Sequence, residues 1–141
     1  MPSPDPILTL DTSVLICGLL SRYGNSGLLL AAFFGDRLKI IHTADILAEY
    51  ADVMARDHFK IEQGERIAVM MKLRASGLRI TPTPVPTTID WPDKDDIPFI
   101  AAALATENKI VVTLNPRDFE PAKTLGLRIL SPAQAMALLQ P

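Results

Sequence analysis

Residues 7–16, ILTLDTSVLI, decide the predicted fold of this chain. The largely apolar run 7–10 is typical of a short buried strand, and the apolar residues after Ser13 recur at helical spacing. Between the two stand one acid, Asp11, and two hydroxyl residues, Thr12 and Ser13. This order predicts the first strand-to-helix corner of an open α/β sheet. Ligands of such sheets bind outside the carboxyl ends of the strands, so Asp11 is the first candidate functional residue.

The composition is that of one globular domain. The chain has 141 residues, of which 48% are hydrophobic and 21% charged, enough to bury a sizeable core and unlike a disordered chain. We expect a single domain over residues 1–141, with residues 1–6 as a flexible N-terminal extension. The net charge of −2 excludes a global basic field of the kind that drives non-specific binding to polyanions, although a local basic rim is compatible with it.

The cysteine content and the apolar segments exclude several classes of protein. Cys17 is the single cysteine of the sequence, which excludes an intramolecular disulfide and a cysteine-based zinc site. Its apolar neighbours predict a small buried side chain. The apolar stretches are too short to span a membrane, and the N-terminus has neither the basic region nor the apolar core of a signal peptide. We therefore expect a soluble cytoplasmic protein.

Strands and helices alternate along the rest of the chain. A loop is predicted over the proline-rich residues 81–92. Because the elements alternate, the sequence predicts a three-layer α/β/α fold with a parallel sheet of about five strands. Right-handed crossovers then gather every strand-to-helix corner at one edge of the sheet. The predicted strands are 7–10, 38–42, 78–80, 109–113 and 127–130. The predicted helices are 12–21, 26–35, one after Thr43, 62–76, one from Asp95 or Asp96 to 106, a short one within 114–125, and one after Ser131. Ser26, Thr43 and Ser131 are the predicted N-caps of the second, third and last of these helices.

Acidic residues stand near the ends of several of these elements. Carboxylates clustered at one edge are the ligands that Mg²⁺ uses, since it takes one or two of them and keeps several waters. Glu49, in the middle of a helix, can reach the same pocket because helical side chains extend toward the helix start. Taken singly, each acid has an ordinary alternative as a helix N-cap or an exposed carboxylate. The set is Asp11, Glu49, the cluster Asp93, Asp95 and Asp96, and Asp118 with Asn115 nearby.

Basic and aromatic residues give no clear substrate site. Recognition of RNA depends on phosphate contacts and on bases stacked against aromatic rings. The candidates for these contacts, Arg22, Tyr23, Arg56 and Phe59, are few and scattered along the sequence. Both arginines are interpreted as ordinary surface charge.

Three stretches taken together resemble the PIN domains, most familiar as VapC-like toxins of bacterial and archaeal toxin–antitoxin pairs. They are LTLDTSVLICGLL (8–20), HTADILAEYADVMAR (42–56) and DKDDIPFIAAALATENKIVVTLNPRDF (93–119). By this resemblance Asp11 matches the first metal-binding aspartate, Glu49 the acid after the second strand, and Asp96 the third acid, with Asp93 and Asp95 as alternatives. Thr12 or Ser13 matches a hydroxyl pair, and Thr113 matches the threonine that closes the penultimate strand. One departure is Asn115, where the family often has aspartate and for which Asp118 is the substitute.

The resemblance implies a Mg²⁺- or Mn²⁺-dependent endoribonuclease. Asp11, Asp96 and Asp118 or Asn115 would hold the ion, and Glu49 would orient or deprotonate the attacking water. The hydroxyls of Thr12, Ser13 and Thr113 would fix the carboxylates by hydrogen bonds. The partners implied are an RNA substrate, a cognate antitoxin and a second copy of the chain.

Three other readings compete with the ribonuclease. A catalytically inactive PIN-type protein-binding module is the main rival, because Asn115 removes one expected acid. A phosphoacceptor receiver domain requires two adjacent acids after the first strand, where this chain has Asp11 and Thr12. A haloacid-dehalogenase-like phosphatase requires a second aspartate at the position of Ser13.

Overall fold

The computed structural model of this protein describes residues 5–139. Residues 1–4, most of the predicted N-terminal extension, and residues 140–141 lie outside that range. The helices and strands are β1 (Ile7–Leu10), α1 (Thr12–Leu20), α2 (Asn25–Phe34), β2 (Lys39–His42), α3 (Ala44–Met54), α4 (Gln63–Ser76), β3 (Leu78–Arg79), α5 (Ile97–Leu104), β4 (Ile110–Val112), β5 (Arg128–Leu130) and α6 (Pro132–Ala137). Three 3₁₀ segments join them: Asp57–Phe59, Lys94–Asp96 and Pro116–Leu125.

The sheet has five parallel strands in the order β3-β2-β1-β4-β5, with helices on both sides, which confirms the predicted three-layer fold. From the central strand β1 the chain moves first to β2 and β3 and later to β4 and β5 on the other side. The strand order therefore reverses between β1 and β4. In open α/β sheets the crevice at such a reversal, outside the carboxyl ends of the strands, is where ligands bind.

The central strands are buried on both faces. Leu8, Leu10, Val111 and Val112 have no solvent exposure, and Ile110 has almost none. Parallel strands covered by helices on both faces read as continuous apolar runs, which explains why these segments show no alternation of polar and apolar residues. The rigid core thus supports the strand ends from which the acidic residues emerge.

One predicted helix cap is wrong. α2 begins at Asn25 with Gly24 in the N-cap position, so Ser26 lies inside the first turn, where it is buried, and is not the cap. α5 begins at Ile97 with Asp96 in the N-cap position and Pro98 in its first turn, close to the predicted start, and the residues Lys94–Asp96 form a separate 3₁₀ turn before it. The other predicted boundaries differ from the observed ones by one or two residues, the usual scatter at element ends.

Two predicted caps are confirmed. The Thr43 hydroxyl accepts a hydrogen bond from the Ile46 N–H at 3.1 Å at the start of α3. At the start of α6, Ser131 and Gln134 exchange two hydrogen bonds in a capping box.

The helices were also compared with the length and apolar character that a membrane span requires. Within residues 5–139 no single helix meets both criteria. The helices α1 and α2 pass only when taken together, as a pair bent by 93°.

Candidate active site

A cleft of about 410 Å³ opens at the carboxyl edge of the sheet, beside the ends of β1 and β4. Six carboxylates line it, and they come from four separate parts of the chain. The cleft therefore gathers all the acidic positions that the sequence singled out: Asp11, Glu49, Asp93, Asp95, Asp96 and Asp118. Its other lining residues are Thr12, Ser13, Ile16, Cys17, Val53, Arg56, Phe59, Phe99 and Asn115.

Asp11 is held by hydroxyl groups at the end of β1. Its carboxylate oxygen Oδ2 accepts hydrogen bonds from the Ser13 hydroxyl and from the Thr113 hydroxyl, each at 2.7 Å. Asp11 occupies the N-cap position of α1, yet its side chain makes no capping hydrogen bond. The Thr113 contact joins the ends of β1 and β4 directly. The buried carboxylate is thus oriented by the two strands that flank the reversal of the sheet.

The predicted hydroxyl contacts are found for two of the three residues. Ser13 and Thr113 donate to Asp11, and Thr113 also accepts a hydrogen bond from the Asn115 N–H at 2.9 Å. The Thr12 hydroxyl is buried and has no hydrogen-bond partner within residues 5–139. Thr12 therefore lines the cleft without fixing a carboxylate.

Glu49 reaches the cleft from α3, where its neighbour Tyr50 anchors the helix. The fully buried Tyr50 hydroxyl donates a hydrogen bond to the carbonyl oxygen of Leu10, the last residue of β1. The Tyr50 ring also packs against Phe99 of α5, with 5.9 Å between ring centroids. Because these contacts fix α3 against β1 and α5, the half-buried Glu49 faces the acidic cleft.

Asp93, Asp96 and Asp118 form the tightest carboxylate group of the cleft. One oxygen of each lies within 4.8 Å of the others, a spacing that suits ligands of a single cation. The Asp93 side chain also accepts a hydrogen bond from the Asp95 N–H at 2.9 Å, which stabilises the 3₁₀ turn. The capping role considered for Asp95 and Asp96 thus belongs to Asp93, and the Asp96 side chain makes no capping hydrogen bond.

The crowding of carboxylates raises their pKa values. Burial is the main reason that the pKa of Asp96 rises to about 7, and the nearby charges of Asp11, Asp93 and Asp118 raise it further. Burial also raises the pKa of Asp11, against the hydrogen bonds of Ser13 and Thr113, which lower it. The pKa of Glu49 is raised by burial and then by the charge of Asp95. Such carboxylates gain more than isolated ones from a bound cation.

Comparison with known proteins identifies the family of the chain. The model of a family described as "PIN domain" matches residues 8–117. The chain belongs to the PIN domain family. No curated protein matches the chain. PIN domains bind divalent metals and are in general metal-dependent nucleases, which accords with the donor set of the cleft.

Besides the apolar Ile16, Val53 and Phe99, three residues lining the cleft of this PIN domain were not predicted to belong to the site. Arg56 and Phe59 follow α3, which ends at Met54. Their place directly after the helix that carries Glu49 was the available signal, because the end of that helix lies beside the cleft. Cys17 is half-buried and lines the cleft, whereas its apolar sequence neighbours predict full burial.

Proposed function

We propose that this PIN domain is a Mg²⁺- or Mn²⁺-dependent endoribonuclease that hydrolyses phosphodiester bonds in RNA. The observation that carries the proposal is the convergence of six carboxylates in one cleft at the β1/β4 reversal. PIN nucleases act on RNA, which gives the substrate class.

The donor set fits a hard divalent cation. All the candidate ligand atoms are carboxylate oxygens, the type that Mg²⁺ and Mn²⁺ prefer. We assign the principal ion to Asp11, Asp96 and Asp118, with Asp93 as a further ligand because it shares the tight group with Asp96 and Asp118. The raised pKa of Asp96 supports this assignment, since a cation would stabilise the ionised carboxylate that burial and the neighbouring charges disfavour.

The residues of the cleft would each have a separate role in the hydrolysis. A divalent ion at this site would lower the pKa of a water and neutralise the charge that builds on the phosphodiester. Glu49 would orient that water and take its proton, because a carboxylate with a raised pKa is a stronger base than an ordinary one. Ser13 and Thr113 would keep Asp11 oriented through their hydrogen bonds. Asn115, at the rim, offers an amide oxygen beside Asp118.

The test is cleavage of a labelled RNA pool by the purified protein in Mn²⁺. The matched variants are Asp11→Asn, in the cleft, and Asp45→Asn, an exposed aspartate on α3 outside it. We expect cleavage by the wild type and by Asp45→Asn, and none by Asp11→Asn or by the wild type in EDTA. Cleavage that survives both EDTA and Asp11→Asn would refute the metal site, and folded protein without any activity would refute the nuclease.

We further propose that the chain is the toxin of a toxin–antitoxin pair. The resemblance to VapC-like toxins supports this role, and so does an apolar groove of about 300 Å³ between α1, α2 and α4. Gly18, Leu30, Phe34 and Val69 line it, a surface that suits an apolar segment of an antitoxin. Induced expression in bacteria should arrest growth for the wild type and not for Asp11→Asn. Growth unaffected by an active nuclease would contradict the toxin role.

A homodimer is the second proposed assembly. Exposed apolar side chains on α2 and α4, namely Leu28, Ile67 and Met71, support it. Light scattering should then give about twice the 15.4 kDa mass of one chain, and Met71→Asp should return the protein to the monomer. A monomer at all concentrations would refute this assembly.

The alternative function is a catalytically inactive PIN-type module that binds a protein partner. The observation in its favour is Asn115, which stands in the cleft where the family often has an acid. The same cleavage assay separates the two functions, because only the enzyme loses an activity when Asp11 is replaced.

A further inference from the structure

We propose that Arg56 and Phe59 position the substrate in the cleft, Arg56 by binding a phosphate beside the scissile one and Phe59 by stacking on the adjoining base. This inference rests on the proposed nuclease function and names the substrate contact of the same cleft. It is carried by the position of these two residues, which the fold brings to one wall of the acidic cleft at the end of α3.

Charge is the first reason to assign a substrate contact to Arg56. Among the described residues that line the cleft, six are acidic and Arg56 is the single cation. A phosphodiester entering this cleft meets repulsion from every side chain charge except that of Arg56. The arginine fork donates two parallel hydrogen bonds to phosphate oxygens, which makes it the residue type best suited to this contact.

The present partner of Arg56 does not prevent such a contact. The guanidinium lies 3.5 Å from a carboxylate oxygen of Asp52, one turn earlier on α3, and both side chains are more than half exposed. Exposed ion pairs of this kind contribute little free energy, so exchanging Asp52 for a phosphate costs little. The guanidinium lies near Glu49, because the charge of Arg56 lowers the pKa of that carboxylate against the burial that raises it.

Phe59 supplies a surface on which a base can stack. It ends the 3₁₀ turn Asp57–Phe59, is half-buried, and packs on the core while it lines the cleft. The His58 ring lies against it, with 4.1 Å between centroids, which restricts the orientation of the Phe59 ring. Lys60 follows in the left-handed conformation, with φ of 55°, and ends the 3₁₀ turn. A fixed aromatic ring beside a phosphate contact is the usual platform for single-stranded nucleic acid.

The other basic and aromatic candidates of the sequence lie elsewhere. Arg22 lines the apolar groove between α1, α2 and α4 and pairs with Glu65 at 3.9 Å. Tyr23 is 96% exposed and does not line the cleft. Of these four candidates, only Arg56 and Phe59 line the acidic cleft. Bases within a duplex are stacked on each other, so only an unpaired base can lie on Phe59.

The first experiment measures kcat and KM in Mn²⁺ on a single-stranded RNA of mixed sequence. Phe59→Leu keeps the apolar bulk and removes the aromatic face, so we expect KM to rise about tenfold with kcat nearly unchanged. Phe59→Tyr should restore the wild-type KM. Arg56→Ala should also raise KM, and Arg56→Lys should recover part of the loss. Tyr23→Leu, an aromatic replacement away from the cleft, is the matched control and should change neither constant.

The second experiment compares the same strand free and annealed to its complement, and measures its binding by fluorescence anisotropy in Ca²⁺. The inference requires a kcat/KM at least about tenfold higher for the free strand. Equal KM values for Phe59→Leu and Tyr23→Leu, or equal cleavage of the duplex, would overturn the inference and leave the nuclease standing. A wild type that cleaves nothing but binds the strand, with binding weakened by Phe59→Leu, would refute the nuclease and retain the stacking contact.

Discussion

Replacing Asp96 by asparagine should stabilise the metal-free protein at pH 8 and leave its stability almost unchanged at pH 5. Asp96 is buried at the start of α5, next to Asp93 and Asp118, and these surroundings raise its pKa from 3.8 to about 7. In the unfolded chain the same carboxyl ionises near its ordinary pKa. Between these two values the folded state binds more protons than the unfolded state, so the stability contributed by this group falls as the pH rises from about 4 to 7.

The size of this effect follows from the pKa difference. A rise from 3.8 to about 7 is about three pKa units, at about 1.4 kcal/mol each, or about 4 kcal/mol once the group is fully ionised. Asparagine removes the charge but keeps a buried polar group, so we expect a gain of about 2–3 kcal/mol in the free energy of unfolding. For a domain of this size that gain corresponds to a rise in Tm of about 5–10 °C.

The assay is thermal unfolding of wild type and Asp96→Asn at pH 5 and pH 8 in EDTA, followed by a titration with Mn²⁺ at pH 8. Asp45→Asn, an exposed change on α3, is the control and should alter Tm little at either pH. A bound cation stabilises the state that binds it, by about 2.7 kcal/mol at a concentration of one hundred times Kd. Mn²⁺ at that concentration should therefore raise the Tm of the wild type, and not that of Asp96→Asn, enough to close most of the gap between the two proteins.

Two results would refute this reasoning. An equal rise in Tm at pH 5 and pH 8 would show that asparagine improves packing rather than relieves charge. A lower Tm for Asp96→Asn at pH 8 in EDTA would mean that the ionised carboxylate makes contacts worth more than the repulsion that it suffers.

Two further changes test the support of the site and the packing of the helices. Thr113→Val removes one hydroxyl that orients Asp11, so Mn²⁺ affinity measured by calorimetry should fall about tenfold; an unchanged affinity would show that this bond is dispensable. Gly27→Ala should destabilise the protein by about 2 kcal/mol or more, because a Cβ there would lie 2.4 Å from the backbone oxygen of Ser21. The Cβ of Gly64→Ala, in contrast, meets no other described atom within 4 Å, so this change should stabilise α4 by up to about 1 kcal/mol. Denaturant titrations compare the two glycine variants, and equal effects would contradict the packing argument.

The fold was predictable because the apolar runs, the helix caps and the loop residues of the sequence all indicate the same order of elements. The apolar runs of β1 and β4, the caps Thr43 and Ser131 and the proline-rich loop each indicate the same alternation of strand and helix. The start of α2 was mispredicted because Ser26 is a good capping residue by type, while the close approach of Gly27 to Ser21 is a tertiary contact. Such a contact overrides local preference and leaves no trace in the pattern of apolar residues.

The sequence predicted that the acidic residues gather at one edge of the sheet, but not which of their carboxylate oxygens come close together. Topology alone brings the ends of β1 and β4 together, and with them Asp11 and Asp118. Which aspartate of the run 93–96 joins them depends on the 3₁₀ turn, where Asp93 caps Asp95 and still reaches Asp96. Arg56 was interpreted as surface charge because its contact with the cleft depends on the orientation of α3, which the Tyr50 hydrogen bond to Leu10 helps to fix.

Asn115 stands where the resemblance to PIN domains predicts an acid, and the local backbone brings Asp118 close to the other carboxylates of the cleft. The Asp118 N–H donates a hydrogen bond to the Asn115 carbonyl oxygen at 3.1 Å, so the 3₁₀ segment turns back at once after β4. One turn therefore returns residue 118 to the edge that residue 115 occupies, and an Asp118 oxygen lies within 4.8 Å of those of Asp93 and Asp96. A carboxylate three residues later thus reaches the same group of acids. The change to Asn115 lowers the negative charge at the rim without emptying the group, which is why we favour the enzyme over the inactive module.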